Sequence, residues 1–184
     1  LIDIAWLPIV PGYDDRATLI ALDANNQFFR YDPRVTGASL LVPGAAATLE
    51  SVKQMEVFQG RLYLADTGLE QVLRYGAGQY NRDPSPWFSQ ATNLDEMESM
   101  QIDGDIWMLV QNGQVLRYNQ GRQLPYALDG SVGLVRDAVD FYVGDGTNPF
   151  IYVVDGAGER IWVYNKENGE YVKQFSAPEG DPLR

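Results

Sequence analysis

The sequence predicts an all-β fold built from four repeats of four antiparallel strands, and three observations predict it. Four related segments, QFFRY at 27–31, QVLRY at 71–75, QVLRY at 114–118 and RIWVY at 160–164, place Tyr31, Tyr75, Tyr118 and Tyr164 at intervals of 44, 43 and 46 residues. Ahead of each lies an apolar run that closes on a turn: TLIALD at 18–23, RLYLAD at 61–66, DIWMLV at 105–110 and IYVVD at 151–155. The 3.6-residue apolar period of an amphipathic helix is not found, so helix should be nearly absent. Repeats of about 40 to 50 residues with several strands each are the blades of a propeller. A β-sandwich also strings short strands between turns, but gives no reason for a tyrosine to return at this interval.

Taken in chain order, each repeat supplies four strands, with repeats at roughly 1–46, 47–91, 92–134 and 135–184. The first and innermost begins at Leu1 in repeat one, covers 52–58 and 97–102 in repeats two and three, and includes Asp140 in repeat four. The second carries apolar residues on both alternating faces, with Ile106 and Met108 on one and Trp107 and Leu109 on the other, as burial on both sides requires. The third is the tyrosine segment. Turns join them: Gln59-Gly60 and Asp103-Gly104 between first and second strands, and Asn112-Gly113, read as a type I′ turn, between second and third. Fourth strands are expected at 38–42, 86–90, 124–128 and 170–175, three of them made ragged by proline, which edge strands tolerate. Asn168-Gly169 is a hairpin turn leading into the last of these.

Composition narrows the chemistry. The chain holds 184 residues, 45% of them hydrophobic and 12% aromatic, enough for a substantial core rich in strand-forming rings. It has 14 basic and 25 acidic residues, a formal net charge of −11, which repels phosphate backbones and anionic lipid, so nucleic acid is not an expected partner. There is no His and no Cys, which removes disulfides, thiolate nucleophiles, the usual zinc sites and every histidine-based triad. No apolar run approaches the length of about 18 residues that a membrane span needs. The glycines at 76–79 and 156–160 do not complete a phosphate-binding pattern and are read as turns. The compartment stays open.

LYLADTGLEQVLRY and IYVVDGAGERIWVYNKENGEYVKQF resemble NHL-type propeller repeats: apolar strand, Asp, glycine-containing turn, Arg, strand. Repeats one and three depart from the pattern at their Asn25-Asn26 and Asn112-Gly113 turns, and repeat three has Val110 where the others carry Asp23, Asp66 or Asp155. The resemblance implies a binding scaffold of five to eight blades whose inner strands and loops form a ligand or protein site. The recurring Asp is expected to accept backbone N–H groups in its turn. The start at Leu1 without Met, and an end in GDPLR past the last strand, lead to the expectation of an arc of a larger propeller rather than a four-bladed ring. Its partners would then be the remaining blades of a longer chain, or a second copy, beside an unidentified protein or small-molecule ligand.

Two sets of candidate residues follow. Asp3, Glu56, Glu98, Gln101 and Asp140 fall on inner strands, which line a propeller's channel, and could offer oxygen ligands to Ca²⁺. The alternative is that they meet channel water between core residues and hold no cofactor. Tyr80, Trp87 and Phe88, in the aromatic-rich insert 79–96, are interface candidates or, alternatively, the packing of an outer strand. The leading functional expectation is a non-catalytic binding or protein-interaction propeller. The second is part of a Ca²⁺-dependent, lactonase-like propeller hydrolase, for which no recognisable site spacing is present.

Overall fold

A computed structural model describes residues 1–13 and 15–176. The closing GDPLR and the last part of repeat four therefore lie outside the described residues. The chain forms four antiparallel sheets of four strands, each paired in sequence order from first to fourth. Blade one is β1 (Asp3–Leu7), β2 (Thr18–Leu22), β3 (Phe28–Tyr31) and β4 (Ser39–Leu41). Blade two is β5 (Val52–Phe58), β6 (Arg61–Asp66), β7 (Gln71–Arg74) and β8 (Ser85–Pro86). Blade three is β9 (Met97–Ile102), β10 (Ile106–Val110), β11 (Val115–Asn119) and β12 (Arg122–Leu124). Blade four is β13 (Ala138–Val143), β14 (Phe150–Asp155), β15 (Arg160–Asn165) and β16 (Tyr171–Ser176). Among the described residues the helical content is one 3₁₀ turn, Ala46–Thr48.

The blades group into two compact units, Leu1–Asp95 and Glu96–Arg184, of two blades each. In the first, Ile20, Leu22 and Phe28 of blade one pack with Met55, Leu62, Leu64 and Tyr75 of blade two. In the second, Trp107, Leu109 and Val115 of blade three pack with Phe141, Val153, Trp162 and Tyr164 of blade four. Register explains the tyrosine repeat: Tyr31 lies opposite Leu19, Tyr118 opposite Ile106 and Tyr164 opposite Ile151, while Tyr75 donates its N–H to the Leu62 carbonyl at 2.8 Å. The tyrosine thus sits on one fixed face of every blade, beside the second strand's apolar residue.

A second regularity runs with it. Asn26, Glu70, Gly113 and Glu159 all adopt positive φ, between 47° and 80°, and each lies five residues before a repeat tyrosine. Each donates its N–H back three residues, to the carbonyls of Asp23, Thr67, Val110 and Gly156. The sequence shows no common residue at this point because Asn, Glu and Gly all serve, at the modest cost of a left-handed non-glycine residue.

Several local expectations change. Asn112-Gly113 is not a type I′ turn: only Gly113 has positive φ, and the loop is three residues long, closed by the Val110 N–H on the Gln114 carbonyl at 3.0 Å. Type I′ geometry is found instead at Gln59-Gly60 (φ 50° and 73°) and Gln120-Gly121 (47° and 78°), each a two-residue link between paired strand ends. The innermost strand of blade one starts at Asp3 rather than Leu1. The fourth strands of blades one to three are shorter than expected. Pro125 stops β12 because it has no N–H for the ladder, so Tyr126–Leu128 leave the sheet.

Candidate functional site

The inner-strand candidates separate into distinct surroundings. Asp3 accepts the Ile4 N–H at 2.8 Å through one oxygen and the Met55 N–H of β5 at 2.8 Å through the other, tying the first strands of blades one and two. Burial pushes its carboxyl above the ordinary value, against the lowering effect of those two N–H groups. Asp140 plays a similar part in the second unit, accepting the Phe141 N–H at 2.8 Å and the Ser99 hydroxyl of β9 at 2.9 Å. Glu56 lies half-buried opposite Tyr63, and Gln101 half-buried opposite Trp107. Glu98 lines a polar groove with Gln111, Asp137 and Val139. Among the described residues no three His, Cys, Asp or Glu side chains gather as a metal cage.

The interface candidates require correction. Tyr80 and Phe88 are buried, at 3% exposure each, so they present nothing to a partner. The Tyr80 hydroxyl donates to the Gly60 carbonyl at 2.7 Å, and the Phe88 N–H donates to Gln71 Oε1 at 2.8 Å. Trp87 is half-buried, edge-on to Phe88 at 5.3 Å. The rings close the outer side of blade two because the Trp87 N–H binds the Val72 carbonyl at 2.8 Å and so draws this segment onto β7.

The turn aspartates act structurally. Asp66, fully buried, accepts the N–H groups of Glu50 and Ser51 at 2.9 Å each and of Leu69 at 3.2 Å. Asp155 accepts those of Asp137 and Gly158 and the Trp162 indole N–H, at 3.0 to 3.2 Å. Each carboxylate thus holds its own turn and the approach to the innermost strand.

Two hollows remain. One, of 440 Å³ in the first unit, is lined by Arg16, Arg30, Asp15, Asp32, Thr18 and Ser39, where Arg16 pairs with Asp32 at 3.0 Å and Arg30 donates to the neutral Thr18 hydroxyl at 2.8 Å. The other, a groove of 370 Å³ in the second unit, has a different character. One wall is the segment 126–135 after β12, with Tyr126, Leu128, Leu134 and Val135; the other is the 111–116 turn and the buried Tyr164. Leu134 is 74% exposed at its rim.

The groove rests on fixed parts. Tyr126 stands edge-on to Trp107 at 5.1 Å and donates its hydroxyl to the Asn165 carbonyl at 3.3 Å. Arg117 stacks over the Trp107 ring at 4.8 Å and is held by Asp105 at 2.6 Å. Lys166 bridges the Asp103 carboxylate at 2.9 Å and the Gly144 carbonyl at 2.6 Å. Burial raises both Tyr126 and Tyr164 to about 12, so these hydroxyls stay neutral across the physiological range. A preformed hollow of this size, lined by polar Asn112, Gln114, Gln123 and Asp129 as much as by apolar Leu128, Leu134 and Val135, can take a ligand. Sequence reading missed it because its lining comes from an irregular segment.

No family model and no curated protein matches the chain. Among solved structures it is similar to the WD40 β-propeller domain of Doa1, with a TM-score of 0.58 and 8% identity over 97% of this chain and 55% of that one. The chain thus spans about half the length of that structure. At such identity the likeness establishes the fold, four propeller blades, and nothing of activity.

Proposed function

We propose that these blades are a non-catalytic binding module, built of diverged NHL-like repeats, whose second unit takes a short segment of a protein partner in the Tyr126–Leu134 groove. The observation that carries this reading is the groove itself: a preformed 370 Å³ hollow with exposed Leu134 in its lining, beside buried Trp107 and Tyr164 and a half-buried Tyr126 and Arg117 held by the Asn165 carbonyl and Asp105. Apolar anchors set among amide-bearing Asn112, Gln114 and Gln123 suit an extended segment that inserts an apolar side chain and meets polar groups along its backbone. The net charge of −11 favours a neutral or basic partner. The absence of His and Cys, and the structural employment of Asp66, Asp103, Asp105 and Asp155, support binding over catalysis.

The test is selection from a random peptide library, with the selected peptides titrated against the wild type and against Leu134→Arg. Peptides carrying an apolar anchor, binding the wild type at micromolar strength and the variant at least about tenfold more weakly, are expected. Peptides insensitive to Leu134→Arg would remove the groove from the proposal. A thermal midpoint raised by millimolar Ca²⁺ would instead favour the calcium-dependent hydrolase.

A further inference from the structure

Three of the four blades pair the residue three places before the repeat tyrosine with the fourth strand or the segment that continues it, and blade three does not. Phe28 lies opposite Leu41 in blade one, and Ile161 opposite Phe175 in blade four. In blade two the Val72 carbonyl accepts the Trp87 N–H at 2.8 Å, and two residues earlier the Glu70 carbonyl accepts the Thr92 N–H at 2.9 Å. The counterparts in blade three are Val115 and Gly113. There β12 ends with Leu124 opposite Arg117, and among the described residues nothing takes up the Val115 N–H, the Val115 carbonyl or the Gly113 carbonyl.

Register shows where these groups point. The Val110 N–H binds the Gln114 carbonyl, and Leu116 lies opposite Met108, so Gln114 and Leu116 turn their backbone groups to β10. Val115 between them turns its own the other way, to the edge that β12 leaves open. That edge is not bare surface: Val115 is 1% exposed and lines the Tyr126–Leu134 groove. A buried backbone donor and acceptor left unpaired costs free energy comparable to a lost hydrogen bond, so native folds rarely keep one without a partner.

We propose that the partner segment completes the fourth strand of blade three, lying extended and antiparallel to β11 in the position that Trp87 to Thr92 takes in blade two. This rests on the groove being the binding site and adds how it is filled. One residue of the segment exchanges both hydrogen bonds with Val115, and the next but one donates its N–H to the Gly113 carbonyl. The side chain opposite Val115 falls on the same face as Val115, which belongs to the core that Tyr126 and Leu128 pack against, so this is the apolar anchor. Asp129 is the one charged residue in the groove's lining, and the Ser131 N–H and hydroxyl hold its carboxyl below the ordinary value. The segment therefore carries Lys or Arg beside its anchor.

Amide hydrogen exchange, read residue by residue by NMR, tests this. In the free chain the Val115 N–H should exchange at least about tenfold faster than those of Leu116 and Arg117, which lie in the β10 and β12 ladders. Protection equal to theirs would overturn the proposal before any ligand is added. The library-selected peptides, at saturation, should slow Val115 at least about tenfold and leave Leu116 unchanged. Replacing their amides by esters one at a time should weaken binding at alternate residues, those whose N–H faces β11. Selected sequences should carry Lys or Arg and bind Asp129→Asn about threefold more weakly; sequences without either, indifferent to that variant, would overturn the charge match. Peptides that respond to Leu134→Arg but leave Val115 exchange unchanged would overturn the strand pairing and keep the groove. Peptides indifferent to Leu134→Arg, or a selection that returns none, would remove the groove reading and this one with it.

Discussion

The two units join their blades by different means. In the first the ties run mostly to backbone: Asp3 to the Met55 N–H, Asn26 to both the Glu50 carbonyl and the Val52 N–H, and the Tyr75 hydroxyl to the Gly44 carbonyl at 2.9 Å, with the Gln79 amide on the Tyr13 hydroxyl at 2.6 Å as a side-chain pair, while Asp66 fastens blade two internally through the Glu50 and Ser51 N–H groups. The core between them is mostly Leu, Ile, Val and Met. In the second unit side-chain pairs join the blades, Lys166 with Asp103 and Ser99 with Asp140, beside the Tyr126 hydroxyl on the Asn165 carbonyl, over a core that includes two Trp, Phe141 and Tyr164. Backbone partners stay in place whatever the neighbouring residue, whereas side-chain partners depend on both members. The first design is sensitive to loss of a single acceptor; the second spreads its dependence over several pairs and over salt.

The largest effect is expected at Asp66. Replacing it with Ala strands three N–H groups around a fully buried site, and at 1–3 kcal/mol per unsatisfied buried group, partly relieved by water, a loss of about 3 kcal/mol follows. Urea unfolding measures it. Trp107 and Trp162 are both buried in the second unit, so with Trp6 and Trp87 of the first unit replaced by Phe in both proteins, fluorescence reports that core. A circular dichroism transition shifted to lower urea, with a smaller shift in Trp fluorescence, is the expected pattern. Coincident, equal shifts would show the units unfolding together.

Lys166→Met should cost less, about 1–2 kcal/mol, because Asp103 keeps the Trp107 indole N–H at 2.8 Å and both partners are about one-fifth exposed. The cost should shrink in 1 M salt, where the wild-type pair is itself screened. Asp66→Ala, which breaks bonds to backbone, should show no comparable salt dependence. Equal salt responses of the two variants would erase the contrast between the units.

How far the sequence reveals this architecture follows from the same contrast. Strands β5 and β9 lie where alternating apolar residues and Gly turns place them, and the buried Asp66 and Asp155 hold their turns as turn chemistry leads one to expect. The tyrosine repeat is legible because one register position recurs in every blade. What is not legible depends on contacts between residues far apart in sequence. Tyr80 and Phe88 look like surface rings until Gly60 and Gln71 supply their partners. The groove is hidden because 124–128 reads as a strand that Pro125 in fact cuts short, 129–135 has neither strand nor helix period, and only the fold brings the segment beside Asn112–Leu116. Asp3 and Asp140 are legible as inner-strand carboxylates, but their bonds to Met55 and Ser99 are not.

Asp3 sharpens the comparison through pH. Its folded carboxyl is raised by burial, so the folded state holds the proton more tightly than the unfolded chain, whose value is about 3.9. Its contribution therefore grows as pH falls through the raised folded value toward about 3.9, and is lost as pH rises through that window. Asp3→Asn carries no such proton. Urea midpoints of both proteins between pH 4 and 7 should show the wild type gaining on the variant toward the acid end; parallel curves would mean that Asp3 ionises as in water.

The smallest effect belongs to the exposed side of blade one. Asp32 is held down at about 2, first by the Arg34 N–H and then by the Arg16 guanidinium. Both arginines are well exposed, so the pairs Arg16 to Asp32 and Arg34 to Asp32 are screened by water and salt. Arg16→Ala should leave the thermal midpoint unchanged within error, yet let the Asp32 carboxyl rise toward the ordinary range, which NMR titration of that carboxyl detects. The rise should be partial, because the Arg34 N–H bond at 3.0 Å remains. A midpoint that falls with Arg16→Ala would mean that side-chain pairs also carry the first unit, and the division between backbone-tied and side-chain-tied blades would no longer hold.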